Sequence, residues 1–251
     1  MKLLLKVLII PTLFINVLSA KNNPIWFDLA LTGSGGGCFL TTKNIFGDSK
    51  TVNSSPSFCY AFGGKLGINF NENHEIAFNA EYYSRNQSYD IKLATLKFNK
   101  NIALSGVDLA LLYRHRSDES AGYVEIGPQM SIISSATENR EGITSDVSTK
   151  FTPNYFSGVV GFGSNLVVSN AFTWTIGFRF SYCFSDMISV EGGKGTSTSY
   201  PLNDPGASKP YDSYAPFNAT TFQLHTEFTF DLGYFAKSKC KRGRISFLRF
   251  K

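Results

Sequence analysis

Apolar and polar residues alternate along most of the chain, which is the pattern of β-strands that face two different environments. The segment 172–184 shows it most clearly, with apolar residues at its even-numbered positions and small or polar residues, including Arg179, at its odd-numbered positions. The segments 58–70 and 221–235 repeat this arrangement. Because successive side chains of a strand point to opposite faces, each segment predicts a strand with one apolar face and one polar face.

Weaker segments complete a set of eight predicted strands: 26–40, 58–70, 75–84, 102–114, 123–133, 156–168, 172–184 and 221–235. The alternation is interrupted near Ser105 and Gly106, which we interpret as a β-bulge in the fourth strand. Short connections at 71–74, 115–122 and 169–171 alternate with long ones at 41–57, 85–101, 134–155 and 189–217. This alternation is typical of outer-membrane barrels, which have short periplasmic turns and long extracellular loops. The sequence therefore predicts an all-β fold, an eight-stranded antiparallel up-and-down transmembrane β-barrel, over residues 21–235.

A soluble eight-stranded barrel would show the same alternation, so the character of the polar face distinguishes the two folds. That face consists mainly of Gly, Ala, Ser and Asn with isolated charges, which suits a narrow interior filled by side chains. Only 17% of the residues are charged, against about 25% in ordinary soluble domains. No segment after the first twenty residues approaches the roughly 20 consecutive apolar residues of a membrane helix. These features favour the membrane barrel.

The two ends of the chain differ from the predicted barrel. Residues 1–20 combine Lys2 and Lys6 with an apolar run and the small pair Ser19-Ala20, which predicts a signal peptide. Residues 236–251 are a basic tail, and an even number of strands would place this tail in the periplasm. Without these two segments the formal charge is −4 rather than +5. The body of the protein is thus expected to contact outer-membrane lipid and no nucleic acid.

A resemblance to a known family rests on five segments: FGGKLGINF (62–70), YVEIGPQ (123–129), GVVGFGSNLVV (158–168), FRFSYCFSDMI (178–188) and FQLHTEFTF (222–230). They resemble the PorT-like outer-membrane β-barrel proteins of Gram-negative Bacteroidota, which are related in architecture to the OmpX and OmpA barrels. The resemblance covers nearly the whole chain after residue 20, and it implies an integral membrane protein with transmembrane β-strands in the outer membrane.

The predicted interior contains charged residues. Its inward positions combine six carboxylates with two cations, namely Asp28, Glu81, Asp108, Glu125, Glu227 and Asp231 with Lys65 and Arg179. A proton or ion path is one interpretation, but an eight-stranded barrel leaves no aqueous channel, so we expect an interior salt-bridge network. Arg179 is expected to pair with Glu227, or with Asp231 if the strand register differs.

The cysteines and histidines indicate no metal site, no cofactor and no enzyme. Cys38 and Cys59 fall on the inward face near the same end of adjacent predicted strands, and export would bring them to an oxidising compartment. We therefore predict a disulfide between them, with two free thiols as the alternative. None of the cysteines has zinc-site spacing, and no two histidines share a plausible catalytic geometry.

The longest predicted loop, 189–217, is the candidate surface for a protein partner. Its aromatic residues Tyr200, Tyr211, Tyr214 and Phe217 are of the type favoured at interfaces. A solvated loop without a dedicated ligand is the alternative. The sequence thus predicts a structural, accessory or loop-mediated binding role without an open pore; a lipid-modifying membrane enzyme and a small-solute channel are the alternative functions.

Overall fold

A computed structural model describes residues 25–46, 52–70, 72–93, 96–117, 121–169, 172–196, 199–201 and 213–235. The strands are β1 (Ile25–Thr42), β2 (Val52–Ser55), β3 (Ser57–Asn69), β4 (His74–Leu93), β5 (Leu96–Arg116), β6 (Gly122–Arg140), β7 (Ile143–Asp146), β8 (Asn154–Val168), β9 (Thr173–Cys183) and β10 (Phe217–Phe235). A short helix, α1 (Lys43–Phe46), and a 3-10 turn, Ser148–Lys150, accompany them. The predicted signal peptide and the basic tail lie outside the described residues.

The eight long strands form a closed antiparallel ring. Each pairs with its neighbours in the order β1, β3, β4, β5, β6, β8, β9 and β10, and β10 pairs with β1. This confirms the predicted eight-stranded antiparallel up-and-down barrel. Closure satisfies the backbone hydrogen bonds of every long strand on both sides. Within the described residues, no helix has the length and apolar character required to cross a membrane.

The short connections lie at one end of the barrel, which we call the turn end, and the long connections lie at the opposite loop end. Strands β4 and β5 have 20 and 21 residues, and at a rise of about 3.3 Å per residue and a tilt of about 40° each spans about 50 Å. The apolar band of an outer-membrane barrel is only about 25 Å tall. Both strands therefore extend well beyond this band at the loop end.

This extension corrects two of the predicted loops. The segment 85–101 is mostly a β-hairpin, in which β4 and β5 remain paired as far as Leu93 and Leu96. The segment 134–155 is the continuation of β6 followed by β7, which pairs back onto β6. Both segments are more polar on their outward face than the membrane strands, which is why the sequence pattern favoured loops there.

The two faces of β4 exchange character along the strand. Near the turn end, Phe78 is exposed and Glu81, three residues further along, is buried, as expected for a strand between lipid and a polar interior. Near the loop end, Asp90 is exposed while Tyr89 and Ile91 are buried. The outer surroundings thus change from apolar to polar at the point where the inner surroundings change from polar to apolar.

The predicted bulge is present, but the additional residue belongs to the neighbouring strand. Ser105 pairs with Ser135 and Gly106 with Ile133, so Ser134 of β6 is the additional residue. In β5 the alternation of inward and outward side chains is unbroken, because Ile102 and Leu104 point inward and are as fully buried as the inward polar residues that follow them. The apparent interruption in the β5 sequence therefore reflects the apolar interior at the loop end.

Candidate functional site

The interior at the turn end is an ion network, and Lys65 of β3 is one of its centres. Its Nζ lies 3.2 Å from Asp28 Oδ1, 2.5 Å from Glu75 Oε1 and 2.7 Å from Glu227 Oε1. The side chains of Lys65, Glu75 and Glu227 are completely buried. The three carboxylates compensate the cost of burying the positive charge of Lys65. Because they carry three negative charges against one positive charge, further cations are required nearby.

Arg114 of β5 supplies the second centre. Its guanidinium donates to both carboxylate oxygens of Glu227, at 3.0 and 2.8 Å, and to Glu125 Oε2 at 3.1 and 2.9 Å. Arg116, at the turn end of β5, pairs with Glu75 of β4. Glu227 therefore bridges Lys65 and Arg114, and the two centres form one network.

Arg179 lies inside the barrel, but its predicted partner was wrong. Its Nε lies 2.5 Å from Glu125 Oε1, and its Nη1 lies 3.4 Å from Glu81 Oε1. In the register of β9 and β10, Arg179 faces Gln223, whereas Glu227 faces Thr175. Glu227 is therefore displaced along the barrel axis toward Lys65 and Arg114.

Two other members of the predicted network lie elsewhere. Asp108 is buried nearer the loop end, 2.6 Å from Arg85 Nη2 and 2.6 Å from the hydroxyl of Ser131. Asp231 is exposed at the end of β10 and forms no ion pair among the described residues, so its assignment to the buried network was wrong. The strand reaches the turn end at Asp231, where water reaches the carboxylate.

The charged residues of the interior that sequence reasoning missed include Glu75, Arg85, Arg114 and Arg116. The signal was present in the strand parity. Arg114 has the same parity as Asp108 in β5, and Glu75 and Arg85 have the same parity as Glu81 in β4. They were assigned to strand ends or loops because both strands were predicted too short. With these residues included, the buried cations nearly balance the buried carboxylates.

Cys38 and Cys59 are free thiols, so the predicted disulfide is absent. Cys38 faces Ser57 across β1 and β3, and Cys59 faces Gly36. The two cysteines are thus diagonal neighbours, whose Cα atoms lie about 7–8 Å apart in a regular sheet. A disulfide usually requires Cα atoms within about 4.4–6.8 Å. The side chains of Cys38 and Cys59 nevertheless interact with each other, and both remain thiols in the structure.

The loop end is filled mainly by an apolar core, which also encloses the ion pair of Lys100 with Glu138. Its buried residues include Leu40, Ile45, Val52, Tyr89, Ile91, Phe98, Ile102, Leu104, Val147, Phe151, Met187, Ile188, Tyr200 and Phe217. We call this core, with β2, β7, α1 and the strand extensions that surround it, the loop-end cap. The cap contains residues from the connections 41–57, 134–155 and 184–217, so the described parts of these connections fold inward onto the loop end of the barrel.

This packing corrects the predicted partner surface. Tyr200 and Phe217 are fully buried. The hydroxyl of Tyr200 donates to Glu138 Oε2 at 2.7 Å, and the ammonium groups of Lys100 and Lys150 lie 4.8 and 4.7 Å from the centre of its ring. Both aromatic side chains are therefore core residues that are inaccessible to a partner. Tyr211 lies outside the described residues.

Asp186 holds the last long connection against the cap. It accepts hydrogen bonds from the backbone N–H groups of Ile188 and Phe217, each at 3.1 Å, and from the hydroxyl of Tyr214. The pKa of Tyr214 is raised because the phenol is partly removed from water and donates to this carboxylate. Tyr214 is thus half-buried and engaged, and it presents less free surface than the sequence suggested.

Within the described residues, no group of three or more His, Cys, Asp or Glu side chains could hold a metal ion. The charged residues of the interior are instead engaged with one another. In this arrangement, buried charges of opposite sign compensate one another inside a barrel whose outer surface is apolar. That surface exposes many large apolar side chains, among them Leu31, Phe62, Phe78, Leu111, Ile126, Phe162 and Phe228.

Residues 22–189 match the family described as outer membrane protein beta-barrel domain. The chain belongs to this family. The match covers about two thirds of the sequence, and together with the closed barrel it assigns the protein to the outer membrane. No curated protein sequence matches the chain.

Solved structures of other outer-membrane proteins are similar to this family member. Neisserial surface protein A (NspA) is 10% identical with a TM-score of 0.40, and the alignment covers 81% of this chain and 96% of NspA. The attachment invasion locus protein Ail of Yersinia pestis, in complex with sucrose octasulfate, is 11% identical with a TM-score of 0.40, over 83% of this chain and 99% of Ail. OprG from Pseudomonas aeruginosa is 9% identical with a TM-score of 0.38, over 83% and 97% of the two chains.

Proposed function

We propose that the protein is a closed outer-membrane anchor whose loop-end cap binds a protein partner outside the cell. The observation that carries this proposal is the filling of the barrel at two successive levels. The ion network around Lys65 and Arg114 occupies the turn end, and the apolar core around Tyr200 and Phe217 occupies the loop end. A solute would have to displace both, so the barrel has no open pore.

The orientation follows from the lengths of the connections. Short turns in the periplasm and long connections outside the cell are the arrangement of bacterial outer-membrane barrels. Export through a signal peptide at residues 1–20 and a periplasmic position of the basic tail 236–251 are part of the same proposal. The segments 62–70 and 222–230, among others, support a PorT-like protein of Bacteroidota.

The proposed contacts are lipid around the barrel and protein at the cap. The exposed apolar side chains of the barrel wall suit the hydrocarbon of the membrane. In the cap, Ile143 and Val190 are 75% and 85% exposed, and they replace the buried Tyr200 and Phe217 as candidate contacts. We propose no enzymatic role, because the interior carboxylates are committed to ion pairs.

Planar-bilayer recording of the refolded full chain tests whether the barrel is closed. We expect no stepwise conductance from protein whose heat-dependent migration in SDS gels shows that it is folded. Stable conductance steps from such protein would show a channel and overturn the proposal of a closed anchor.

Site-specific crosslinking in cells tests the partner. A photo-crosslinking residue at position 143 or 190 is expected to capture the same protein, while the same probe at the exposed Glu72 of a short turn does not. Exchanging Ile143 and Val190 together for serine should weaken that capture. If the cap positions capture no protein above the Glu72 control, the cap has no protein partner.

A further inference from the structure

His74 and His115 face each other on the outer surface of the barrel at the turn end. They are directly opposite residues of β4 and β5. The N–H of Arg116 donates to the carbonyl of Asn73 at 2.7 Å, so the adjacent pair is hydrogen-bonded and His74 and His115 form a non-hydrogen-bonded pair. Side chains are closest in pairs of this type. The neighbouring Glu75 and Arg114 point inward, which leaves both imidazoles on the outward face.

The separation of the two rings is that of two imidazoles on one metal ion. Their centroids are 5.0 Å apart, and the ring planes are inclined by 37°. An ion bound to one nitrogen of each ring at about 2.1 Å, with a tetrahedral angle, places the ring centroids about 5 Å apart. His115 is exposed and His74 is half-buried, so an ion from solution can reach them.

Tyr113 orients His74 for this role. Its hydroxyl lies 2.6 Å from Nδ1 of His74, and the two rings stack with centroids 5.9 Å apart. In the tautomer in which Nδ1 donates to the hydroxyl, Nε2 of His74 carries the lone pair that binds a metal. Metal-binding histidines commonly have such a partner on the second nitrogen, which fixes the tautomer and the ring orientation.

We propose that His74 and His115 form a binding site for one divalent transition-metal ion, with Tyr113 as the positioning residue and water as the remaining ligands. Imidazole nitrogen favours copper, nickel and zinc, whereas calcium and magnesium prefer oxygen ligands. The site has two protein ligands and remains open to solvent. Because each ligand comes from a different strand, a bound ion would join β4 to β5 next to the turn that follows β5.

Calorimetric titration of the refolded full chain, prepared without a polyhistidine tag, tests the site directly. We expect one equivalent of Ni²⁺ to bind, Cu²⁺ to bind more tightly, and Ca²⁺ not to bind. His115→Ala should abolish saturable Ni²⁺ binding in the same concentration range. Val124→Ala is the matched control: Val124 pairs with His115 on the same exposed face, and its loss should leave the affinity unchanged.

Tyr113→Phe separates the positioning role from a structural one. We expect its Ni²⁺ affinity to fall about tenfold, while the temperature of SDS-induced unfolding without metal stays that of the parent. Ni²⁺ should raise that temperature in the parent and leave it unchanged in His74→Ala, because only the parent has both ligands. A folded parent without saturable binding, or a His115→Ala variant that binds Ni²⁺ like the parent, overturns the proposal.

Discussion

Arg114 and Glu227 meet across the full width of the barrel. Two guanidinium nitrogens of Arg114 lie 3.0 and 2.8 Å from the two carboxylate oxygens of Glu227, although β5 and β10 are separated by three strands on either side of the ring. Such a bidentate pair has the geometry of a strong charge-assisted interaction. Because Arg114 also bonds Glu125, and Glu227 also bonds Lys65, the pair connects opposite walls of the barrel.

We predict that Arg114→Ala destabilises the barrel by about 3–5 kcal/mol, because it leaves buried carboxylates without compensation. Arg114→Lys should be intermediate, since an ammonium cannot form the bidentate pair. Lys97→Ala, which removes an exposed cation from the tip of the β4–β5 hairpin, is the control and should change stability by less than about 0.5 kcal/mol. The measurement is unfolding by urea in detergent micelles. An Arg114→Ala barrel as stable as the parent would show that the network contributes little.

The partner of Arg179 can be tested by double-mutant cycles. Arg179 contacts Glu125 at 2.5 Å and has no ion pair with Glu227 among the described residues. The cycle of Arg179→Ala with Glu125→Ala should give a coupling energy within about 0.5–3 kcal/mol. The cycle of Arg179→Ala with Glu227→Ala should give a clearly smaller coupling energy. Equal couplings in the two cycles would contradict the register of β9 and β10.

Strand parity predicted the ring and the inward side chains, but it could not predict the register. Moving β10 along β9 by any even number of residues preserves the parity of both strands. Arg179 therefore keeps its inward position whether it faces Gln223 or Glu227, and parity gives no preference. The observed register depends on contacts from the whole ring, including Arg114 on the opposite wall, which no local segment contains.

The loop-end cap was missed for a different reason. The sequence was read with one rule, apolar outward and polar inward, which holds only where lipid surrounds the barrel. In the cap, Tyr89 and Ile91 point inward to an apolar core while Asp90 faces water. The rule therefore stops the predicted strand at residue 84, where the environment changes, and assigns the rest to a loop.

The register between β1 and β3 predicts where a disulfide can form. Ser57 faces Cys38 directly, so its β-carbon should lie about 4.5–5.5 Å away. The double variant Ser57→Cys with Cys59→Ser should oxidise to a disulfide, seen as a mobility difference between reduced and unreduced samples. The parent should show fully alkylatable Cys38 and Cys59 after unfolding without reductant.

The control for this experiment is Phe58→Cys with Cys59→Ser, which puts the new thiol on the exposed outer face of β3. It should leave Cys38 unpaired within the chain. Efficient intramolecular oxidation of this control would mean that the register or the inward direction of Cys38 is wrong.

Gly67 makes room for two carboxylates of the ion network. A β-carbon at this position would meet Asp28 and would lie 2.6 Å from Glu75 Oε1, the two carboxylates that flank Lys65. Gly67→Ala should push both away from Lys65 and destabilise the barrel by about 1–3 kcal/mol. Gly37→Ala is the matched control, because a β-carbon there meets no atom within 4 Å, and it should be neutral or stabilising by up to about 1 kcal/mol. If urea unfolding showed equal effects for the two substitutions, the stability lost in Gly67→Ala would come from the backbone rather than from the displaced carboxylates.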